Sequence, residues 1–353
     1  MPDSEPPAEE ALPFISVVIG ARNEAGYIEG CVRSLLEDDY PADRLEVLVV
    51  DGQSNDGTPD IVRKLTEADP RVRLIDNPRR ITPVAFNLGI QNARGEIISI
   101  VGGHSYVEKG FLRLTARALL DHPDAWVMGG ASLPIHSGYV GRVIGQAVYS
   151  PFGTGGPKYR SPGYSGYVAD TVEFPSYWQW VFDKVGLFDE QLVRNQDNDM
   201  NDRVMQAGGK VFHDGRRRHY YYSRSSFGKL ARQYFQYGFW RIRNIQKLRK
   251  VTTFRQIAPL LFVAAWPLLI AGALLWRPLW YALAGYAGLY LLALLAGAAR
   301  TARTAGLKYA LLVPLAFVIL HFSYGAGSLK GIWSFGILRR AGRSSPPDQQ
   351  LTR

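Results

Sequence analysis

Polar residues follow directly on runs of β-branched and aliphatic residues at three places: Asn23 and Glu24 after ISVVIGA, Asp51 and Ser54 after LEVLVV, and Gly102, Gly103 and His104 after EIISIV. Such runs, broken by Gly, Asn, Asp or Ser, are buried parallel strands that end in loops. Ligands of open α/β sheets bind at that carboxyl edge, so Asn23, Glu24, Asp51, Ser54, Asp56, Gly102, Gly103 and His104 are expected around one crevice. A carboxylate at a strand end accepts a hydrogen bond from a base N–H or a sugar hydroxyl, and Asp51 has that place. Ser54, Asp56 and Thr58 also read as turn and helix-capping residues, and for Asp56 the cap is the preferred reading. A second acidic group, NQDND at positions 195–199, opens a helix. Asp197 and Asp199 suit a helix N-terminus on charge alone.

The elements that position these residues follow from periodicity. Ile28, Cys31, Val32, Leu35 and Leu36 are spaced as one face of a helix, as are Ile61, Val62 and Leu65 within 58–68, and Val84, Phe86, Leu88 and Ile90 within 83–93. With RVRLID as the third strand, the order is β-α-β-α-β-α-β, which a right-handed, mostly parallel sheet accommodates. A helix over 111–120, a short strand in AWVMGGA and a helix over 197–207 closed by Gly208-Gly209 follow. Between His136 and Ser176 the periodicity fades, and Gly, Pro, Tyr and Ser dominate. That stretch is expected to be an irregular substrate loop.

Twelve cations fall between Arg216 and Arg255, and they account for much of the net charge of +10. Directly after them come three uncharged stretches, 257–276, 279–299 and 309–329, each about the length needed to cross a bilayer. Trp276, Trp280 and Trp333 edge them as interfacial aromatics. The basic segment therefore reads as contact with anionic lipid headgroups, and nucleic acid is not an expected partner. Arg300, Arg303 and Lys308 put the loop after the second segment on the cytoplasmic side, whereas Lys330, Arg339, Arg340 and Arg343 draw the tail inward too. Cys31 is the single cysteine, so no internal disulfide exists, and it reads as a small buried hydrophobe. The expected domains are a disordered tail over 1–13, an α/β catalytic domain over 14–222, a basic amphipathic juxtamembrane segment over 223–256, a membrane region over 257–333 and a polar tail over 334–353.

The order ARNE, VVDGQSNDGT, N-x-G-x-x-x-A-x-G, a glycine-histidine strand end and NQDNDMNDR resembles glycosyltransferase family 2, over roughly residues 14–222. With membrane helices following, it is similar to the bacterial exopolysaccharide type. The resemblance implies a GT-A fold and inverting transfer from a nucleotide sugar, with Asp51 on uracil or ribose and Ala21 to Glu24 beside it. It implies a divalent cation, Mg or Mn, at an acidic motif after the fourth strand. Here Gly102 stands at the first acidic position, so His104 is left as the cation ligand, and Arg79, Arg80 or Lys158 can meet phosphate in compensation. The family's base lies in a Glu-Asp pair, which aligns with Gln196 and Asp197. Asp197 is thus the candidate base, and the neutral Gln196 removes a like charge that would raise its pKa. RQYFQYGFWR at 232–241 resembles the Q-x-x-R-W region of membrane synthases without matching it, and the interfacial helix is its preferred reading. The expected function is single-hexose transfer, from a donor expected to be UDP-linked, to a lipid-linked acceptor at the cell membrane. The alternative is a degenerate nucleotide-sugar-binding or assembly subunit.

Overall fold

The computed structural model describes residues 12–156, 163–169, 171–192, 194–223, 225–249, 251 and 254–337. Lys158, Arg224, Lys250, the first eleven residues and the tail from 338 lie outside the described residues. Two compact units divide the chain, and each is interleaved in sequence. The first comprises 1–133, 162–188 and 203–221; the second comprises 134–161, 189–202 and 222–353.

The first unit is built on β1 (Ile15–Ala21), α1 (Ile28–Leu36), β2 (Leu45–Asp51), α2 (Thr58–Ala68), β3 (Val72–Asp76), α3 (Thr82–Asn92) and β4 (Ile97–Gly102). β1 pairs in parallel with β2 and with β4, and β2 with β3. All seven residues of β2 are buried, which is why the run is apolar on both faces. Gly89 lets α3 lie against β1, since a Cβ there would overlap the Val18 side chain. Next come β5 (Ser105–Val107), α4 (Phe111–Asp121) and β6 (Ala125–Ile135).

Beyond them the stretch expected to be irregular over 136–176 carries regular elements among its described residues. It holds α5 (Gly138–Val148), α6 (Pro151–Thr154), β7 (Ser165–Val168) and β8 (Glu173–Trp178). β8 inserts antiparallel between β4 and β6, so the sheet continues past its parallel part as β3-β2-β1-β4-β8-β6-β9-β5, with β7 on β9. Then follow α7 (Trp180–Val185), α8 (Gln196–Gln206) and β9 (Lys210–Tyr222). β9 also corrects the reading of the first basic residues as lipid contacts. Arg217 is fully buried, bonded to Thr115 and Ser176 side chains and the Phe174 carbonyl and lying 3.7 Å over the Phe111 ring. Burial pushes its guanidinium down to about 9. Arg216 pairs with Asp214, and Arg218 with Glu108.

The second unit is organised by α9 (Phe227–Leu248), α10 (Ala258–Leu275), α11 (Leu279–Ala305), α12 (Leu307–Ala310) and α13 (Val313–Gly331). Among the described residues three segments are long and apolar enough to cross a membrane: Ala258–Leu275, Leu279–Ala305 and Leu307–Gly336. They are not alike. The apolar windows of the first two are 11% and 6% buried, against 39% for the third. Leu268, Leu274, Leu275, Tyr281 and Leu289 are exposed, as a lipid-facing surface requires. α13 instead packs Phe317 and Leu320 against Val143, Ile144 and Ala147 of α5 and Leu230 and Tyr234 of α9. α9 and α13 meet backbone to backbone. A Cβ on Gly238 would strike the Tyr324 carbonyl, and one on Gly327 the Phe235 carbonyl. Small residues at such a crossing permit close helix approach in a membrane environment.

Candidate active site

At the carboxyl edge of the first unit's sheet, Asp51 is buried and both its oxygens accept from Ser54, Oδ2 from the amide at 2.9 Å and Oδ1 from the hydroxyl at 2.5 Å. The Ser54 hydroxyl in turn accepts from the Asn23 amide at 2.7 Å, and Asn23 Oδ1 accepts from the Asn55 amide. Asn23 and Gln53 hold left-handed backbone, φ 54° and 53°, the conformation that Asn tolerates best among residues with a Cβ. The ends of β1 and β2 are thus sewn into one double loop. Each carboxylate oxygen keeps a further lone pair, so Asp51 can take a ligand N–H or O–H as well.

Asp56 lies one residue before Gly57, the N-cap of α2, and bonds the turn that leads into the helix. Its Oδ1 accepts from the Thr58 amide and hydroxyl, its Oδ2 from the Ala25 amide at 3.1 Å, and Thr58 Oγ1 accepts from the Glu24 amide. Desolvation works to raise its pKa, but these donors outweigh it and hold Asp56 below the usual carboxylate range. The Ala21 carbonyl accepts from the Gly52 amide, which closes the same edge.

Glu24 is buried and reaches His104, with Oε1 3.4 Å from Nδ1. Gly103 lies against the Glu24 side chain, so Gly102, Gly103, His104 and Glu24 form one wall. The Gly102 carbonyl accepts from Ser105 Oγ, and Cys31 Sγ lies 3.5 Å from it. Burial pushes the Cys31 thiol up to about 12, which leaves it an inert hydrophobe at neutral pH. Arg80 donates to Gln53 at 2.7 Å, which places its guanidinium beside the β2 loop, and Arg79 is exposed on the same turn.

In the second unit α8 opens with Gln196 and Asp197. Asp197 is half-buried, and its Oδ1 accepts from Asn198 Nδ2 at 3.3 Å. Asp199, two residues on, is fully buried and paired with Lys247 at 2.9 Å, so it serves as an anchor. Sequence reasoning missed what surrounds this turn. Tyr237, Arg241, Asn244 and Lys247, all on α9, bond to Asn195, Asn198, Asn195 and Asp199 respectively. Tyr237 contributes its main-chain carbonyl, and the side chains of Arg241, Asn244 and Lys247, spaced three and three, lie on one face as a polar stripe. In the sequence that stripe is hidden among cations that read as lipid contacts.

The comparisons with known proteins bear on this geometry. A family model described as glycosyl transferase family 2 matches residues 16–152, which hold β1 to β6 and the whole Asp51 edge. The succinoglycan biosynthesis protein ExoA of Rhizobium meliloti (strain 1021) is 30% identical over 322 residues, spanning 90% of this chain and 95% of the relative. This chain belongs to glycosyltransferase family 2. A second relative, "Dolichyl N-acetyl-alpha-D-glucosaminyl phosphate 3-beta-D-2,3-diacetamido-2,3-dideoxy-beta-D-glucuronosyltransferase" of Methanococcus voltae, is 30% identical over 232 residues, 64% of this chain and 72% of its own. Among solved structures, a mannosyltransferase from Pyrobaculum calidifontis in complex with GDP-Man and Mn2+ superposes with a TM-score of 0.58. It is 20% identical, over 92% of this chain and 88% of its own, which establishes the shared GT-A fold. This family 2 member is a glycosyltransferase that uses a nucleotide-sugar donor, and among its described residues are three helices long and apolar enough to span a membrane.

The fit to a cation is narrow. Among the described residues no group of three or more His, Cys, Asp or Glu is placed to hold a metal. His104 and Glu24 supply one imidazole and one carboxylate, a mixed set that suits Mn better than the all-oxygen sphere of Mg.

Proposed function

We propose that this glycosyltransferase moves a single hexose, with inversion, from a UDP-linked donor to a lipid-linked acceptor at the cytoplasmic face of the cell membrane, in synthesis of a surface polysaccharide or glycolipid. The observation that carries this reading is the company Asp197 keeps. Residues 189–202 belong to the same compact unit as the three apolar helices, so the candidate base is built into the part of the chain that would meet a lipid-borne acceptor. The names of two relatives point the same way, one containing a dolichyl phosphate and the other succinoglycan biosynthesis.

In this reading Asp51, Ser54 and Asn23 hold the nucleoside, with Ala21 and Gly102 to Gly103 shaping the edge. Asp197 accepts the proton of the acceptor hydroxyl while that oxygen bonds to the anomeric carbon and the carbon–oxygen bond to the diphosphate breaks from the opposite face. Gln196 keeps a second negative charge away from the base. A divalent cation held by His104 and Glu24 would supply charge neutralisation for the diphosphate. The cytoplasmic orientation rests on Arg300, Arg303 and Lys308 after α11. Cys31 is buried, so a cysteine introduced at Arg303 would report the side of the membrane by labelling with an impermeant reagent.

The deciding experiment incubates membranes containing the full chain with a panel of nucleotide sugars and lipid acceptor, with and without EDTA, and measures nucleotide release. Release from one UDP-sugar, lowered by EDTA, is expected. Nucleotide binding without release from any donor would instead identify a binding subunit, the alternative that the altered Gly102 and Gln196 positions leave open.

A further inference from the structure

The first turn of α8 is held from outside. Asn195 has left-handed backbone, φ 61°; its side chain donates to the Tyr237 carbonyl at 3.1 Å and its own carbonyl accepts from Asn244 Nδ2 at 3.1 Å. Lys247 ties down Asp199 and also Asp189, 2.8 Å away. Leu192 packs with Phe239 and Trp240, also from α9. Within this clasp one chain of bonds reaches the candidate base: Arg241 Nη2 donates to Asn198 Oδ1 at 2.8 Å, and Asn198 Nδ2 donates to Asp197 Oδ1.

We propose that Arg241 and Asn198 are positioning residues that aim the Asp197 carboxylate, with the amide relaying the orientation of a buried guanidinium. The inference rests on Asp197 being the base. A side-chain amide has an acceptor end and a donor end, so fixing its oxygen on Arg241 turns its NH₂ toward Asp197. The arrangement differs from that at Asp199 two residues away. There an ammonium meets a carboxylate directly, and the pair serves anchoring. At Asp197 Oδ1 a neutral amide stands between guanidinium and carboxylate. Arg241 is itself buried, and burying a guanidinium against a neutral group contributes little to stability. Its presence there is accounted for by geometry: small misplacements of a reacting group cost rate steeply.

The test is a double-substitution cycle on the full chain in native membranes, with Asn198→Ala and Arg241→Ala each made alone and combined with Asp197→Asn, and single-turnover transfer and UDP affinity measured for all. Asn198→Ala is the mild variant, since it leaves Arg241 and the rest of the clasp in place. Each single substitution is expected to lower kcat roughly 10- to 100-fold with the donor KM and UDP affinity within about twofold. In the Asp197→Asn background the same substitutions are expected to change the residual rate less than about twofold, because the group they aim is gone. Full, additive losses in that background would show a merely structural role and overturn the inference, as would an unchanged kcat for Asn198→Ala. Should Asp197→Asn itself transfer at near-normal rate, the base assignment fails first and the positioning role falls with it.

Discussion

The two polar edges of this glycosyltransferase are supported in opposite ways. Around Asp51 the bonds are made within the edge itself: Ser54 lies three residues from Asp51, Thr58 two from Asp56, and Asn23 joins them from the neighbouring parallel strand. Around Asp197 the support comes from a helix more than forty residues further along the chain, through Tyr237, Arg241, Asn244 and Lys247. The candidate donor edge is therefore a property of the sheet, and the turn that carries the candidate base is a property of α9 and of what α9 rests on. Disturbing the second should stop turnover and spare binding; disturbing the first should do the reverse.

The sharpest division is expected from Asp197→Asn, which should lower single-turnover transfer by about 10²–10⁴ while leaving UDP affinity intact. Rapid-quench transfer and calorimetric titration on the same preparation check it, and a coupled loss of affinity would erase the division. Asp199→Asn is no neutral companion, since it strips Lys247 of one of its two carboxylates and should show itself as lost stability. Asp51→Ala should weaken UDP by about 1.5–3 kcal/mol, one to two decades, the worth of a hydrogen bond to a charged group. At saturating donor its turnover should recover, which steady-state kinetics will show.

A smaller effect is expected from Gly238→Val. Its side chain would push α9 off the Tyr324 carbonyl, at a cost of about 1–3 kcal/mol in stability and with some loss of transfer, while UDP titration stays unchanged. The smallest effect lies in the first unit, at Asp38. Burial, and then the neighbouring Asp39, push its carboxyl up to about 7. The folded protein thus holds a proton that the unfolded chain has already released, and stability falls as pH rises from the ordinary carboxylate range through 7. Asp38→Asn should therefore raise the unfolding temperature slightly at pH 5 and by roughly a few degrees at pH 8, read by thermal unfolding in detergent. An equal gain at both pH values would remove the charge as its cause.

What could be read from the chain alone follows the same division. β1, β2 and β4 are largely apolar runs buried almost throughout, and α2 occupies Thr58–Ala68 as its spacing predicts, because Asp56 and Thr58 mark its start locally. The stretch over 136–176 could not be read that way. α5 holds Val143, Ile144 and Ala147 on one face, but with three glycines in GYVGRVIGQAV its helical propensity is poor, and packing against α13 makes up the difference. β8 contains Pro175, which argues against a central strand, yet it lies between β4 and β6 with Ser176 bonded to Ser99. Arg241 and Lys247 looked like lipid contacts because cations before an apolar helix usually are; their real partners, Asn198 and Asp199, are set by tertiary contact and leave no local trace.

The glycine crossing of α9 on α13 bears on how this enzyme can be handled in the laboratory. A fragment trimmed after Tyr222 to dispense with detergent would retain β1 to β9 and the Asp51 loop, and would forfeit the helix that grips residues 194–199. Extending it to the end of α9 would return the grip but bare the faces around Tyr234, Gly238 and Phe239 that α13 and Phe335 cover. The hydrophobic portion is then no detachable mooring. If Asp51 holds the donor and Asp197 is the base, a shortened version would keep the donor edge and lose the grip on the base, so inhibitor screens run on such a piece would favour compounds for the Asp51 edge over any that act by loosening the Asp197 turn.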